Sequence, residues 1–113
     1  MAANAHALVV LTTVGSRDEA ERLAGSLVER RVAACVQVLA GVESVYWWEG
    51  RVARDTEWLL LCKTTHDRYP DLERAIRALH SYETPEIIAL PVTAGSAPYL
   101  EWLTANVLPQ GSV

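Results

Sequence analysis

Few side chains in this 113-residue sequence combine a reactive type with a useful position. His80 stands where an amphipathic segment gives way to the loop Ser81-Tyr82-Glu83-Thr84-Pro85. A neutral imidazole there is a ligand for copper or zinc. At a helix C-terminus it is equally a group held by the dipole or by a hydrogen bond. Cys35 and Cys62 are potential soft donors for Cu(I). Both fall inside apolar strand-like runs, where free thiols are usually core residues. Glu57 and Lys63 lie six residues apart on one predicted strand, so they share a face at a separation of about 20 Å. Each needs a partner elsewhere if buried, because an unpaired buried charge is very costly. With Tyr82 and Glu86 they outline either a polar cleft for a small anion or metal complex, or a structural ion-pair network. His6 and His66 are scattered and read as surface residues.

Other chemistries lack their residues. There is no close carboxylate pair and no nucleophile–base pair. No G-x-S-x-G and no Gly-rich phosphate loop occurs. No CxxC or paired Cys/His spacing marks a structural zinc site. The expectation is a binding protein and not an enzyme, with no cofactor required for folding. Lys63 is the single lysine beside nine arginines. That bias suits a GC-rich genome, or a position that needs a compact ammonium instead of a planar guanidinium.

The elements that must position these residues follow from periodicity. Leu8 to Val14 is a β-branched, uninterrupted strand. Ser16 caps a helix with Asp18 and Glu19 in its first turn, and Ala20, Leu23, Ala24, Leu27 and Val28 form its apolar face. Two strand-like stretches, Ala33 to Trp48 and Arg51 to Thr65, flank the turn signal Glu49-Gly50 and predict a long hairpin. Pro70 suits the first turn of a second helix, whose apolar face is Tyr69, Leu72, Ala75, Ile76 and Leu79. Glu86 to Leu90 is a fourth strand, and Ser96 caps a short last helix. The order β-α-β-β-α-β plus a C-terminal helix is the ferredoxin-like arrangement, an α+β fold with both main helices on one face of an antiparallel sheet.

Size and charge bound the rest. The chain is short enough for one domain, residues 1–113 with a core from about 7 to 107. Half the residues are apolar and the net charge is −4, which argues against disorder and against nucleic-acid binding. No apolar run reaches the 18 residues of a membrane span, and the N-terminus lacks the pattern of a signal peptide. A cytoplasmic location is expected. Strands one, three and four are apolar on both faces, so the face without helices needs a cover. The predicted hairpin, at roughly 50 Å, exceeds a domain with a radius of gyration near 13 Å. Both features predict a homo-oligomer. Of the adjacent Trp47 and Trp48, one is expected to pack inward and the other to meet a neighbour or water.

Four blocks carry a family resemblance: Arg31-Val32-Ala33-Ala34-Cys35-Val36, Ser44-Val45-Tyr46-Trp47-Trp48-Glu49-Gly50, Glu57-Trp58-Leu59-Leu60-Leu61-Cys62-Lys63-Thr64, and His80 through Ile88, followed by Tyr99-Leu100-Glu101-Trp102-Leu103. In this order and spacing the chain resembles the CutA divalent-cation-tolerance proteins from about residue 7 to 107. The resemblance implies a ferredoxin-like homotrimer with intersubunit β contacts and a role in tolerance of metals such as copper. In such an oligomer the polar cleft read from the residues is expected between subunits, lined by Cys35, Trp48, Glu57, Lys63, Tyr82 and Glu86. The resemblance also implies a Cu(II) site of thiol and imidazole donors. The matching positions here hold Thr12, Leu79 and His80, with Ser81 in place of a proline, so His80 is the remaining candidate ligand. An alternative is a trimeric small-ligand sensor, by fold analogy with nitrogen-regulatory signal-transduction proteins.

Overall fold

The computed structural model describes residues 6–107. β1 (Ala7–Val14) leads to α1 (Arg17–Glu29), then to β2 (Cys35–Trp48), β3 (Arg51–Thr65), α2 (Tyr69–Leu79), β4 (Ile88–Pro91) and α3 (Ala97–Ala105). The sheet order is β2-β3-β1-β4, with every neighbouring pair antiparallel. This is the expected α+β, ferredoxin-like fold with its extra C-terminal helix.

Side-chain alternation divides the sheet cleanly. Even-numbered positions of β1 and β3, such as Val10, Val14, Leu60 and Cys62, pack with Leu23 and Leu27 of α1 and Leu72 and Ile76 of α2. Each fully buried aliphatic side chain here contributes roughly 1.5–3 kcal/mol relative to exposure. Thr12 lies on this dry face, and its hydroxyl Oγ1 is the one buried side-chain polar atom among the described residues with no hydrogen-bond partner. An orphaned hydroxyl is a net cost, and valine has nearly the same shape. Thr12→Val is therefore expected to raise unfolding stability by about 1 kcal/mol, read as a higher urea midpoint at unchanged slope; a lower midpoint would show that the hydroxyl has a partner.

α1 starts where Ser16 Oγ accepts the Glu19 backbone N–H at 3.2 Å. It ends with Arg31 in the left-handed region (φ 58°). There the Arg31 N–H meets the Val28 carbonyl and the Val32 N–H meets the Leu27 carbonyl, a Schellman stop with arginine where glycine is usual. The Arg68 guanidinium donates to the Arg31 carbonyl from both Nε and Nη2. That tie joins the end of α1 to the short 3-10 turn at His66–Arg68, which precedes α2 and has no clear sequence signal.

The odd-numbered face is different. α3 covers only one end of it, where Leu100, Leu103 and Val107 pack on Ala7 and Ala34. Beyond α3, Val9, Leu11, Leu59 and Leu61 are half-buried, while Leu39, Ile88 and Leu90 are exposed.

The hairpin runs past this body, giving extents of 48 × 28 × 21 Å. Its β2 arm carries a bulge between Leu39 and Val42, where Gly41 adopts φ +75°. Its tip is a two-residue turn with both Glu49 and Gly50 at positive φ, the combination that matches the twist of a hairpin. Trp47 and Trp48 are 74% and 60% exposed. The expectation that one of them packs inward fails for a simple reason: at that distance from the helices no core of the same chain lies beside either face.

Candidate functional site

The chemistry-bearing side chains fall into two groups on the sheet face without helices. At one end, Lys63 stands opposite Cys35 in the β2–β3 register and donates from Nζ to Gln37 Oε1 at 2.8 Å. Cys62 stands opposite Val36, so it points to the helix face and the two thiols lie on opposite sides of the sheet. Both are free. Burial pushes the Cys62 thiol up to about 12, so it stays protonated at neutral pH and is a poor soft-metal donor. Its stabilising effect is complete below the ordinary thiol range and is lost as pH rises towards 12. Cys62 should resist a thiol reagent at pH 8 while the chain is folded. Modification is expected to follow the denaturant unfolding curve, and rapid labelling of the native chain would contradict this burial.

The other group gathers where the loop after α2 crosses the end of β1. The Tyr82 phenol donates to Glu57 Oε2 at 2.8 Å. Glu57 is 7% exposed, and no cationic side chain lies within ion-pair distance of it among the described residues. Tyr82 is raised well above the usual tyrosine range, first by burial and then by its bond to Glu57, with the charges of Glu57, Asp55 and Glu19 adding to it. Gly15 lets the phenol approach: a Cβ there would sit 3.2 Å from Tyr82 Oη. Farther along β3, the Tyr46 hydroxyl donates to Asp55. The Asp55 bond is the main cause that raises Tyr46 above the usual tyrosine range, with the Asp55 and Glu57 charges adding to it.

Beneath Tyr82 the loop is anchored. The Glu19 carboxylate accepts the Ser81 backbone N–H and the Ser81 hydroxyl, each at 2.9 Å. The His80 side chain is fully buried. Its Nε2 lies 2.7 Å from the Thr13 carbonyl oxygen, and its Nδ1 accepts the Tyr82 backbone N–H at 3.0 Å. Both ring nitrogens are thus occupied by backbone groups. Among the described residues no group of three or more His, Cys, Asp or Glu side chains is placed to hold a metal ion. In this conformation neither ring nitrogen of His80 offers a free lone pair, and its contacts fix the loop.

Of the six residues expected in one cleft, the structure joins Glu57 with Tyr82 and Cys35 with Lys63, but does not join the two pairs within one chain. Trp48 is out on the hairpin and Glu86 is exposed before β4. Cys35, Lys63, Glu57 and Trp48 do share one sheet face by register. Glu19 and Ser81 have roles that the sequence reading missed. Glu19 had a signal only as a first-turn acid, and its bond to a residue 62 positions away has no local trace.

Comparison with known proteins places this fold in a family. The family model described as CutA1 divalent ion tolerance protein matches residues 8–106. The chain belongs to that family. It is 49% identical over 98 residues to the divalent-cation tolerance protein CutA of Thermus thermophilus, covering 87% of this chain and 95% of that protein. The structure of the Thermus protein superposes with a TM-score of 0.87, covering 88% of this chain and 97% of that chain. The crystal structure of CutA1 from Oryza sativa gives a TM-score of 0.90 at 41% identity, over 98% of this chain and all of that one. The rice protein is named chloroplastic, and this chain covers 54% of its full length at 47% identity.

Family membership overturns the cytoplasmic expectation. Besides the chloroplastic rice relative, a CutA structure from Archaeoglobus fulgidus is described as periplasmic, with a TM-score of 0.87 at 34% identity over 90% of this chain and 99% of that chain. A CutA fold is therefore not a mark of the cytoplasm. Among the described residues no helix is long and apolar enough to cross a membrane.

Proposed function

We propose that this chain acts as a homotrimeric, non-catalytic protein of divalent-metal tolerance, with copper as its metal, and that its polar cleft is completed between copies. One observation carries the assembly: the sheet face without helices is apolar from Leu39 across Leu59, Leu61, Val9 and Leu11 to Ile88 and Leu90, and α3 covers only its end. An apolar face of this extent, continuous with an exposed aromatic hairpin, favours burial against another copy. The same face carries Cys35, Lys63, Glu57 and Trp48, so burying it brings the two separated polar pairs to a subunit boundary. Tyr82 and Glu86 approach that boundary from the loop before β4. His80 enters this reading as a positioning residue for Tyr82 and supplies no metal bond.

Light scattering after gel filtration tests the assembly. Three times the chain mass at micromolar concentration is expected, and a stable monomer overturns it. Calorimetric titration with Cu(II) tests the metal reading: saturable heat above the buffer blank supports direct binding, and its absence removes copper as a ligand.

A further inference from the structure

Two charges on the sheet face without helices lack a counter-ion. Glu57 is buried, and the Tyr82 phenol at 2.8 Å is its hydrogen-bond donor. A carboxylate offers about four lone-pair sites, so one neutral donor leaves most of its capacity and all of its charge unmatched. Lys63 is half-buried on the same face and gives Nζ to the neutral Gln37 Oε1. No carboxylate lies within ion-pair distance of that ammonium among the described residues. Along β3 the two charges stand about 20 Å apart, so they cannot meet within one chain. Between them, on the same face, lie Leu59 and Leu61, with Leu39 of β2 opposite Leu59.

We propose that the Glu57 carboxylate of one copy is neutralised by the partner subunit's Lys63, so that the Glu57–Tyr82 pair is completed only across a subunit boundary. This rests on the assembly proposed above and adds its register. Along β3 the face reads acid, leucine, leucine, base. Covering it with another copy strips both charges of their remaining water, and a desolvated charge without a counter-ion is very costly. Two copies docked with β3 strands pointing the same way would set Glu57 on Glu57 and Lys63 on Lys63. Opposed strands set Glu57 against the partner subunit's Lys63, while leucine still meets leucine. The apolar residues supply attraction in either direction. The charges choose between them, because like charges suppress the wrong pairing.

Other charges near this face fit the role less well. Asp55 is exposed and already holds the Tyr46 hydroxyl. Arg51 lies at the exposed hairpin tip opposite Trp48, and Glu86 is exposed ahead of β4. None of the three borders the leucines as Glu57 and Lys63 do. An ammonium with three rotatable N–H groups can hold Gln37 and a carboxylate at once. That gives the single lysine of the chain a physical reason to be lysine.

A double-mutant cycle on the assembly constant tests the pair, with the full chain, no metal, and light scattering over a dilution series. Glu57→Gln and Lys63→Gln each remove one charge and strand the other. Each is expected to weaken assembly roughly a hundredfold. The double variant strands neither charge, so its loss should be no larger than that of either single variant. Losses that multiply, to about ten-thousandfold, would mean that the two residues meet different partners and overturn the proposal. A single variant that assembles like wild type overturns it as well. So does coupling of Glu57→Gln to Arg51→Gln in place of Lys63→Gln, which would assign the carboxylate to the hairpin tip. Charge exchange is the second arm. Glu57→Lys and Lys63→Glu are each expected to give monomers, and both changes in one chain should restore assembly. With about 20 Å between the positions in one chain, restoration requires contact between copies. A folded exchanged chain that stays monomeric overturns the pair; if its cooperative melt is lost, the glutamine cycle decides. A monomeric wild type removes the assembly reading and the pair together, whereas an oligomeric wild type with multiplying losses removes the pair alone.

Discussion

A chain carrying Leu61→Asp should remain folded but lose its oligomeric state, while the same change one residue earlier, Leu60→Asp, should abolish folding. The two leucines differ only in which way the strand points them. Leu60 is fully buried against α1 and α2, opposite Thr12 and Val38. A carboxylate there has no partner and no water, and the cost reaches the exceptional range of about 4–5 kcal/mol or more. Leu61 faces the other way, between Leu11 and Gln37, and is only half-buried in the single chain. An aspartate at 61 keeps its hydration in the monomer and loses it in the assembly, once for each copy. Every 1.4 kcal/mol of that loss is tenfold in the assembly constant. Light scattering should give the monomer mass with a cooperative melt intact. A Leu61→Asp protein that keeps its oligomeric mass would show that this face is not the interface.

The same alternation explains what was legible in the sequence. β1, α1, β3 and α2 are long and were legible as elements; α1 buries Ala20, Leu23 and Leu27 and α2 buries Leu72, Ala75 and Ile76 as expected, while Val28 and Leu79 at the edges of those predicted faces are exposed. β4 shows the limit: Glu86 and Ile87 were expected in the strand, which begins at Ile88. A four-residue edge strand lies within the range where pairing with β1, and not local propensity, decides the boundary. β2 begins at Cys35 instead of Ala33 because Val32 and Ala33 still complete the α1 stop. The bulge at Leu39–Val42 was hidden because Ala40-Gly41 sits in a run that reads as continuous strand. Trp47 and Trp48 were misplaced for a related reason, since alternation assigns faces but not whether anything lies beneath them.

The site was legible by residue type and not by partner. His80, Tyr82 and Glu57 were visible as candidates, and Tyr82 does meet Glu57. Which atoms of His80 remain free depends on where the Thr13 carbonyl and the Tyr82 amide fall, and that is fixed only when β1, α1 and the loop pack together. Ser81 stands where the family pattern suggested proline. Its N–H and hydroxyl both bind Glu19, and proline could supply neither bond.

Tyr82→Phe should expose how much the Glu57 contact contributes. Phenylalanine keeps the ring over Gly15 and removes only the hydroxyl. Glu57, 7% exposed, then loses its one hydrogen-bond donor among the described residues. Removing one member of a pair leaves the other with its desolvation cost unrelieved, so a loss of about 1–3 kcal/mol in urea unfolding is expected at pH 7. Glu57→Gln retains an acceptor and should cost less. In a double-mutant cycle the two changes should couple by about 0.5 kcal/mol or more, because they share one contact. The pH dependence follows from the direction of the Tyr82 shift. The folded phenol titrates above its unfolded value of 10, so its contribution is complete below pH 10 and disappears as pH rises beyond it. Wild-type and Tyr82→Phe stabilities should therefore differ most at neutral pH and converge above pH 10. The Cys62 thiol also loses its stabilising effect in that alkaline range, but equally in both proteins, so it cancels from the difference. A gap that persists unchanged into strongly alkaline solution would mean that the phenol stabilises the loop by packing alone, and that Glu57 takes its hydrogen bond from another donor.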